Sequence, residues 1–234
     1  MKAILLAGGK GRRLLPYSTI LPKPLMPIGD MPILEIIIRQ LKYYGITDII
    51  ISVGHLANII QAFFGNGEKW GVNIEYSIED EPLGTAAPLK LIDGLDEDFL
   101  LMNGDVFTTL NYNNLVRYHK NRNSLFTVAT FERTVKMSFG IIEIDCYGIT
   151  NYREKPVYNF DVSMGVYCIN PEVLKFITKN KYLDINDLIM ELIEDGHSVN
   201  SYKEDCSWLD IGRVDDYEAA VKIFEKEREK YLYE

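Results

Sequence analysis

Cysteine and histidine are both scarce, with three of each in 234 residues. Cys146, Cys168 and Cys206 are too few and too widely spaced for a disulfide framework or a paired-cysteine metal site. Cys146 and Cys168 stand in the apolar runs IIEIDCYG and GVYCIN, which suits small core side chains. Long hydrophobic runs are missing too. The strongest, Ile33 to Ile38, is interrupted by Glu35 and falls far short of the ~20 residues of a membrane span. The start, MKAILLAGGKGRR, has about five apolar residues before its glycines and arginines, fewer than the ~7–15 of a signal-peptide core. The expectation is a cytoplasmic chain with no membrane partner.

Negative charge is absent from the first 29 residues, which carry Lys2, Lys10, Arg12, Arg13 and Lys23. Asp30 is the first acid, so the other 20 basic residues face all 34 acids and the remainder stands at −14. The net charge of −9 disfavours nucleic acid and anionic surfaces, yet the basic segment suits a small polyanion. Hydrophobic residues at 47% and charged residues at 25% fit a folded protein.

Apolar runs alternate with helical patterns through the first half. Strands are expected at Lys2–Ala7, Asp48–Val53, Asn73–Ser77, Phe99–Met102 and Leu125–Phe131. Helices are expected from Pro32 to Tyr44 with Gly45 as terminator, at His55–Phe64, at Thr85–Ile92, and from an Asn111 cap to Lys120. That alternation predicts a three-layer, Rossmann-like α/β/α sandwich around a mixed, mainly parallel sheet. After about residue 132 strands dominate, at Phe139–Ile144, Ile149–Arg153 and Val162–Ile169, with helices from Pro171, from Asp184 and near Asp215 to Lys230. Residues 1–234 read as a single domain: about 1–131 forms an alternating α/β half, and about 132–234 a β-rich extension.

The first strand runs into Gly8-Gly9-Lys10-Gly11-Arg12-Arg13. Glycines let backbone N–H groups turn toward an anion, and strand carboxyl ends are where open α/β sheets bind ligands. Neither GxGxxG nor GxxxxGK[ST] is present, which removes the main support for a dinucleotide oxidoreductase or a Walker-type NTPase. Taken alone, such a loop is more often a tight surface turn than a phosphate site. Further on, Pro22 and Pro24 flank Lys23 and stiffen it, as placing one positive charge at a fixed point requires. Asp105 follows an apolar strand and Asn103-Gly104, where a carboxylate either caps a turn or ligates magnesium.

The stretch AGGKGRRLLPYSTILPKPLMP resembles the signature of the sugar-1-phosphate nucleotidylyltransferases, which make NDP-sugars from NTP and sugar 1-phosphate. Five later segments match in order: Glu81-Pro82-Leu83-Gly84-Thr85-Ala86, Asn103-Gly104-Asp105, Phe139-Gly140, Glu154-Lys155-Pro156 and Trp208-Leu209-Asp210-Ile211-Gly212. The mannose-1-phosphate guanylyltransferases and the short uridylyltransferases acting on N-acetylmuramate 1-phosphate are the most similar kinds. No left-handed β-helix is expected after WLDIG.

The resemblance implies that Asp105 and Asp210 hold Mg²⁺, while Arg13 and Lys23 neutralise the triphosphate and leaving pyrophosphate. Leu6, Ala7, Gly8, Gly9, Gly11, Glu79, Pro82, Gly84 and Thr85 would complete the nucleotide site. Asn103, Gly140, Glu154, Lys155 and Ser163 would take the sugar 1-phosphate. The reaction is in-line attack of the sugar phosphate on the α-phosphorus, driven by charge neutralisation and positioning.

Glu79 matches the region where the family reads the base, and a carboxylate can accept from both N1–H and N2–H₂ of guanine. This favours GTP; UTP, CTP and dTTP stay open, as does a silent nucleotide-sugar-sensing paralogue. Where many relatives carry Asn in the late strand, this chain has Ser163-Met164-Gly165. The shorter Ser163 and the bulk of Met164 point from mannose toward a modified hexose, a heptose or another acceptor. No histidine falls in a matching motif. Fifteen tyrosines and ten phenylalanines could supply a homo-oligomer interface, and the assembly state is left open.

Overall fold

A computed structural model describes residues 1–9, 11, 14, 19–79 and 81–233. Its strands and helices, in chain order, begin with β1 (Lys2–Leu6), β2 (Pro27–Ile28), β3 (Met31–Pro32), α1 (Ile33–Tyr43), β4 (Asp48–Val53) and α2 (Ala57–Phe64). Next come β5 (Asn73–Ile78), β6 (Phe99–Asn103), β7 (Val106–Thr108), α3 (Tyr112–Asn121) and β8 (Phe126–Lys136). The remainder is β9 (Ile141–Asp145), β10 (Gly148–Arg153), β11 (Val157–Ile169), α4 (Ile185–Glu194), β12 (Val199–Tyr202), β13 (Trp208–Asp210) and α5 (Val214–Leu232).

One seven-stranded sheet runs β12-β8-β11-β6-β1-β4-β5. Neighbours are parallel except at β11, which is antiparallel to both β6 and β8. The sheet is covered on both faces, so its central strands are apolar throughout instead of alternating with polar residues. Ala3 and Leu5 of β1 pack in one core with α1, α2, α3 and α5, while Ile4 packs in the other with α4. The arrangement is a Rossmann-like α/β/α sandwich with a mixed, mainly parallel sheet.

Several expected elements differ. The helix read from Thr85 to Ile92 is only a 3-10 turn at Ala87–Leu91. Pro88 removes an N–H from it, and the amides of Ala86 and Ala87 are already given to Leu183 O at 2.9 and 3.2 Å. The segment from Pro171 is likewise a 3-10 turn. The second helix starts at Ala57, because Leu56 is left-handed at φ 59. Five short strands, β2, β3, β7, β12 and β13, were not foreseen.

The β-rich extension is an arm. The outer parts of β8 and β11 pair as far as Lys136 and Val157, and β9 and β10 form a separate two-stranded ribbon. On that ribbon Ile144 faces Ile149 and Ile142 faces Tyr152, and all four side chains are exposed. Among the described residues no helix is long and apolar enough to cross a membrane.

Candidate active site

The carboxyl ends of the parallel strands open into one pocket of about 740 Å³. One wall is the turn after β1: Leu6, Ala7, Gly8, Gly9 and Gly11 all line it. The turn is pinned by Ala7 N to Ser52 O at 2.8 Å and packs closely on β4. A Cβ on Gly8 would stand 3.0 Å from Glu79 Oε1 and 3.4 Å from Gly54 N, so a side chain there would crowd its neighbours. Arg13, expected on the triphosphate, lies outside the described residues.

Lys23 opens a 3-10 turn, Lys23–Leu25, after an extended Pro22. Its ammonium donates to Asp105 Oδ2, and the two side chains are only 11% and 19% exposed. An ion pair so sheltered is screened little by solvent. Gly104, between β6 and Asp105, donates to Leu6 O at 2.9 Å and leaves no room for a Cβ, which would lie 2.9 Å from that oxygen. Asp105 is thus fixed beside the first glycine turn.

Asp210 arrives from the far end of the chain. β13 pairs antiparallel with β7, placing Asp210 opposite Val106, the neighbour of Asp105. Ile211 N also reaches Asp105 O at 3.4 Å. Among the described residues no group of three or more His, Cys, Asp or Glu side chains is gathered for a metal ion. Asp105 lines the pocket and Asp210 does not, so the strand pairing brings the two residues near in the fold without gathering both carboxylates at the cavity wall. Carboxylate oxygens are nevertheless the hard donors that Mg²⁺ takes, with water and phosphate oxygens completing its sphere.

Glu79, which abuts the glycine turn, lines the pocket with Pro82, Gly84 and Thr85. The Glu79 carboxylate accepts from Ser52 Oγ at 3.0 Å and from Leu83 N at 3.2 Å, one bond to each oxygen. About two lone-pair sites remain for a ligand. Ser52, a fully buried hydroxyl in an otherwise apolar strand, went unremarked in the sequence, although its polarity in DIIISV was the available signal. Tyr182, Asp184, His55 and Gly212 also line the pocket and were not anticipated as site residues.

The residues expected for the sugar phosphate are less gathered. Asn103 lines the pocket. It also touches the late strand, since a Cβ on Gly165 (φ +70) would lie 2.6 Å from Asn103 Nδ2. Ser163 is exposed, with Oγ 3.1 Å from Tyr167 Oη. Met164, expected to narrow the sugar pocket, is instead 1% exposed and packs in the core. A register shift between Ser163 and Tyr167 turns it inward, and its carbonyl accepts from Trp208 Nε1 at 2.9 Å.

Glu154 and Lys155 sit on the arm outside the pocket wall, 60% and 66% exposed, with Lys155 Nζ 3.8 Å from Glu154 Oε1. Glu154 Oε2 accepts from Tyr152 Oη at 2.7 Å, close over Gly140. Lys155 is left-handed at φ 42 directly before Pro156, where extended backbone is normally favoured. Strain of this kind collects at binding and switching positions.

The nucleotidyl transferase family model matches residues 2–227. The chain is 31% identical over 243 residues to a UTP–glucose-1-phosphate uridylyltransferase from Synechocystis, covering 95% of this chain and 63% of that protein. It is also 31% identical over 234 residues to a mannose-1-phosphate guanyltransferase from Saccharomyces cerevisiae, covering 96% and 64%. The chain therefore spans just under two thirds of the length of these relatives. A solved Bacillus anthracis structure, provisionally described as a glucose-1-phosphate thymidylyltransferase, superposes with a TM-score of 0.76 at 26% identity, covering 95% of this chain and 94% of that one. With the fold, the glycine turn and the Lys23–Asp105 pair in place, the match along nearly the whole chain shows that it belongs to the nucleotidyl transferase family.

Proposed function

We propose that this chain transfers a nucleotidyl group from an NTP to a sugar 1-phosphate, releasing pyrophosphate, and that GTP is its preferred donor. The observation that carries the reading is the meeting, at one sheet edge, of the glycine turn, the sheltered Lys23–Asp105 pair and the β13 rung bearing Asp210. Two anions must approach each other, and a lysine, a carboxylate able to take a cation and a glycine turn at this edge suit their neutralisation.

The Gly8–Gly11 turn cradles the phosphates, and Lys23, with Arg13, offsets charge on the triphosphate and on the departing pyrophosphate. Asp105 and Asp210 would hold Mg²⁺, which when bound supplies charge neutralisation at the α-phosphate and orients the incoming oxygen. Asn103 and Ser163 face the acceptor sugar, and Glu154 and Lys155 of the arm take its hydroxyls and phosphate beside Gly140. Base choice falls to Glu79. Its carboxylate is oriented by Ser52 and Leu83 and retains lone pairs that suit the two donor groups of guanine. The same carboxylate would repel the carbonyls flanking uracil N3–H.

The test is a matrix of four NTPs against a panel of hexose, N-acetylhexosamine and heptose 1-phosphates, read by pyrophosphate release with Mg²⁺. Release with at least one pair, greatest with GTP, is expected. Preference for UTP overturns the base assignment, and silence across the matrix overturns the reaction. Glu79→Gln, which places a donor against guanine N1–H, should lower the GTP preference by about tenfold or more.

A further inference from the structure

Asp184 occupies the N-cap position of α4 with extended backbone (φ −89, ψ 156), yet its side chain makes no bond to its own helix. An aspartate there ordinarily accepts from the first free amides of the helix. Here it reaches across the fold. Oδ1 accepts from Thr85 N and from Thr85 Oγ1, each at 3.1 Å, and Oδ2 accepts from Tyr182 Oη at 2.7 Å. The Thr85 hydroxyl in turn accepts from Ile185 N at 2.8 Å, so the first free amide of the helix is satisfied from the other chain segment.

Backbone bonds tighten the junction. Leu183 N donates to Leu83 O at 2.9 Å, and Leu183 O receives Ala86 N. Gly84 stands at φ +89, and a Cβ on it would lie 2.5 Å from Leu183 O, so this approach requires glycine. The other end of the same loop is held by Leu83 N on Glu79 Oε2. The 82–86 segment belongs to no strand or regular helix, and its shape is imposed from these two anchors.

We propose that Asp184 is a positioning residue for the 82–86 segment and through it sets affinity for the nucleotide. The proposal rests on the reading of this pocket as the NTP site. Both Asp184 oxygens are already engaged by the chain, so its action on a ligand runs through Thr85, Gly84 and Pro82. Contacts of that segment to the base and ribose are made equally before and during phosphoryl transfer, so their loss raises KM for NTP and spares kcat.

Steady-state kinetics and hydrogen exchange on the full chain test this together. Asp184→Ala should raise KM for NTP about tenfold to a hundredfold, the scale of one lost bond to a charged acceptor, with kcat held within about threefold. Exchange in peptides covering 82–87 should accelerate in that variant. Asp184→Asn keeps an Oδ1 acceptor for both Thr85 groups and should restore KM to within about threefold of wild type. If Asp184→Ala does not fold, Thr85→Val, which keeps the Thr85 N bond to Asp184 but loses the hydroxyl's bonds to Asp184 and Ile185 N, should raise KM for NTP and speed exchange in the same peptides.

An unchanged KM for NTP, a fall confined to kcat, or failure of Asp184→Asn to rescue overturns the proposal. If the wild-type protein releases no pyrophosphate with any donor, the functional reading fails. The exchange experiment then decides the anchor by itself: acceleration in 82–87 keeps it, and no change removes it.

Discussion

Removing the Lys23–Asp105 pair one partner at a time should separate what it does for folding from what it does for the reaction. At 11% and 19% exposure the two side chains are nearly as sheltered as a core pair. Breaking a buried pair costs about 3–5 kcal/mol, because the surviving charge is stranded; partial exposure brings this to about 2–3 kcal/mol here. Lys23→Met and Asp105→Asn should each lower the melting temperature by about 4–12 °C for a chain of this size. The double variant strands no charge and should recover most of the loss. Activity should follow the opposite rule. Each single variant and the double should lose at least about a hundredfold in turnover, or about 2.7 kcal/mol, since the phosphates still need the charge and the carboxylate. Thermal denaturation paired with pyrophosphate release reads both quantities on the same samples. A double variant as unstable as the two singles combined would refute the pairing argument. Near-normal turnover in a folded Asp105→Asn protein would remove its role in the reaction.

Gln40 should matter for stability alone. It is buried, donates to Thr108 O at 2.9 Å and Tyr231 O at 3.0 Å, and accepts from Tyr112 Oη at 2.9 Å, so Gln40→Leu strands three polar groups. A loss of about 2–4 kcal/mol with unchanged KM values is expected, and a loss under about 0.5 kcal/mol in a denaturant titration would contradict it. His119 should make the fold acid-sensitive: burial holds its imidazole below the usual value, against an opposing pull from Asp98. The unfolded chain therefore takes up the proton first, so stability is full above the unfolded pKa of about 6.5 and falls as pH drops toward the lower folded value. Between pH 7 and 5 wild type should lose more stability than His119→Gln, and parallel curves would count against the assignment.

What could be read from the sequence was local. The glycine turn, the proline-braced Lys23 and the strand end at Asp105 each announce themselves within a few residues, and the structure gathers them at one pocket. Strand direction has no such mark: nothing in GVYCIN says that β11 runs against its neighbours. Thr85–Ile92 carried a helical pattern, but its leading amides were claimed by Leu183, nearly a hundred residues away. Asp184 marked only the start of a helix in the sequence, because its partner, Thr85, lies 99 residues earlier. Met164 was assigned to the wrong side because a register shift cannot be seen in a strand's alternation until its partner is known.

The pairing of β13 with β7 also sets when the site comes into being. Lys23 and Asp105 are 82 residues apart, while the rung carrying Asp210 closes a loop of more than a hundred. Contacts so distant in sequence form late and slowly, after local structure has already condensed. A growing chain on the ribosome holds the basic turn and its first carboxylate long before the second is synthesised. A chain without residues 208–210 lacks the rung opposite Val106, and the proposed site is completed only when those residues close the ladder.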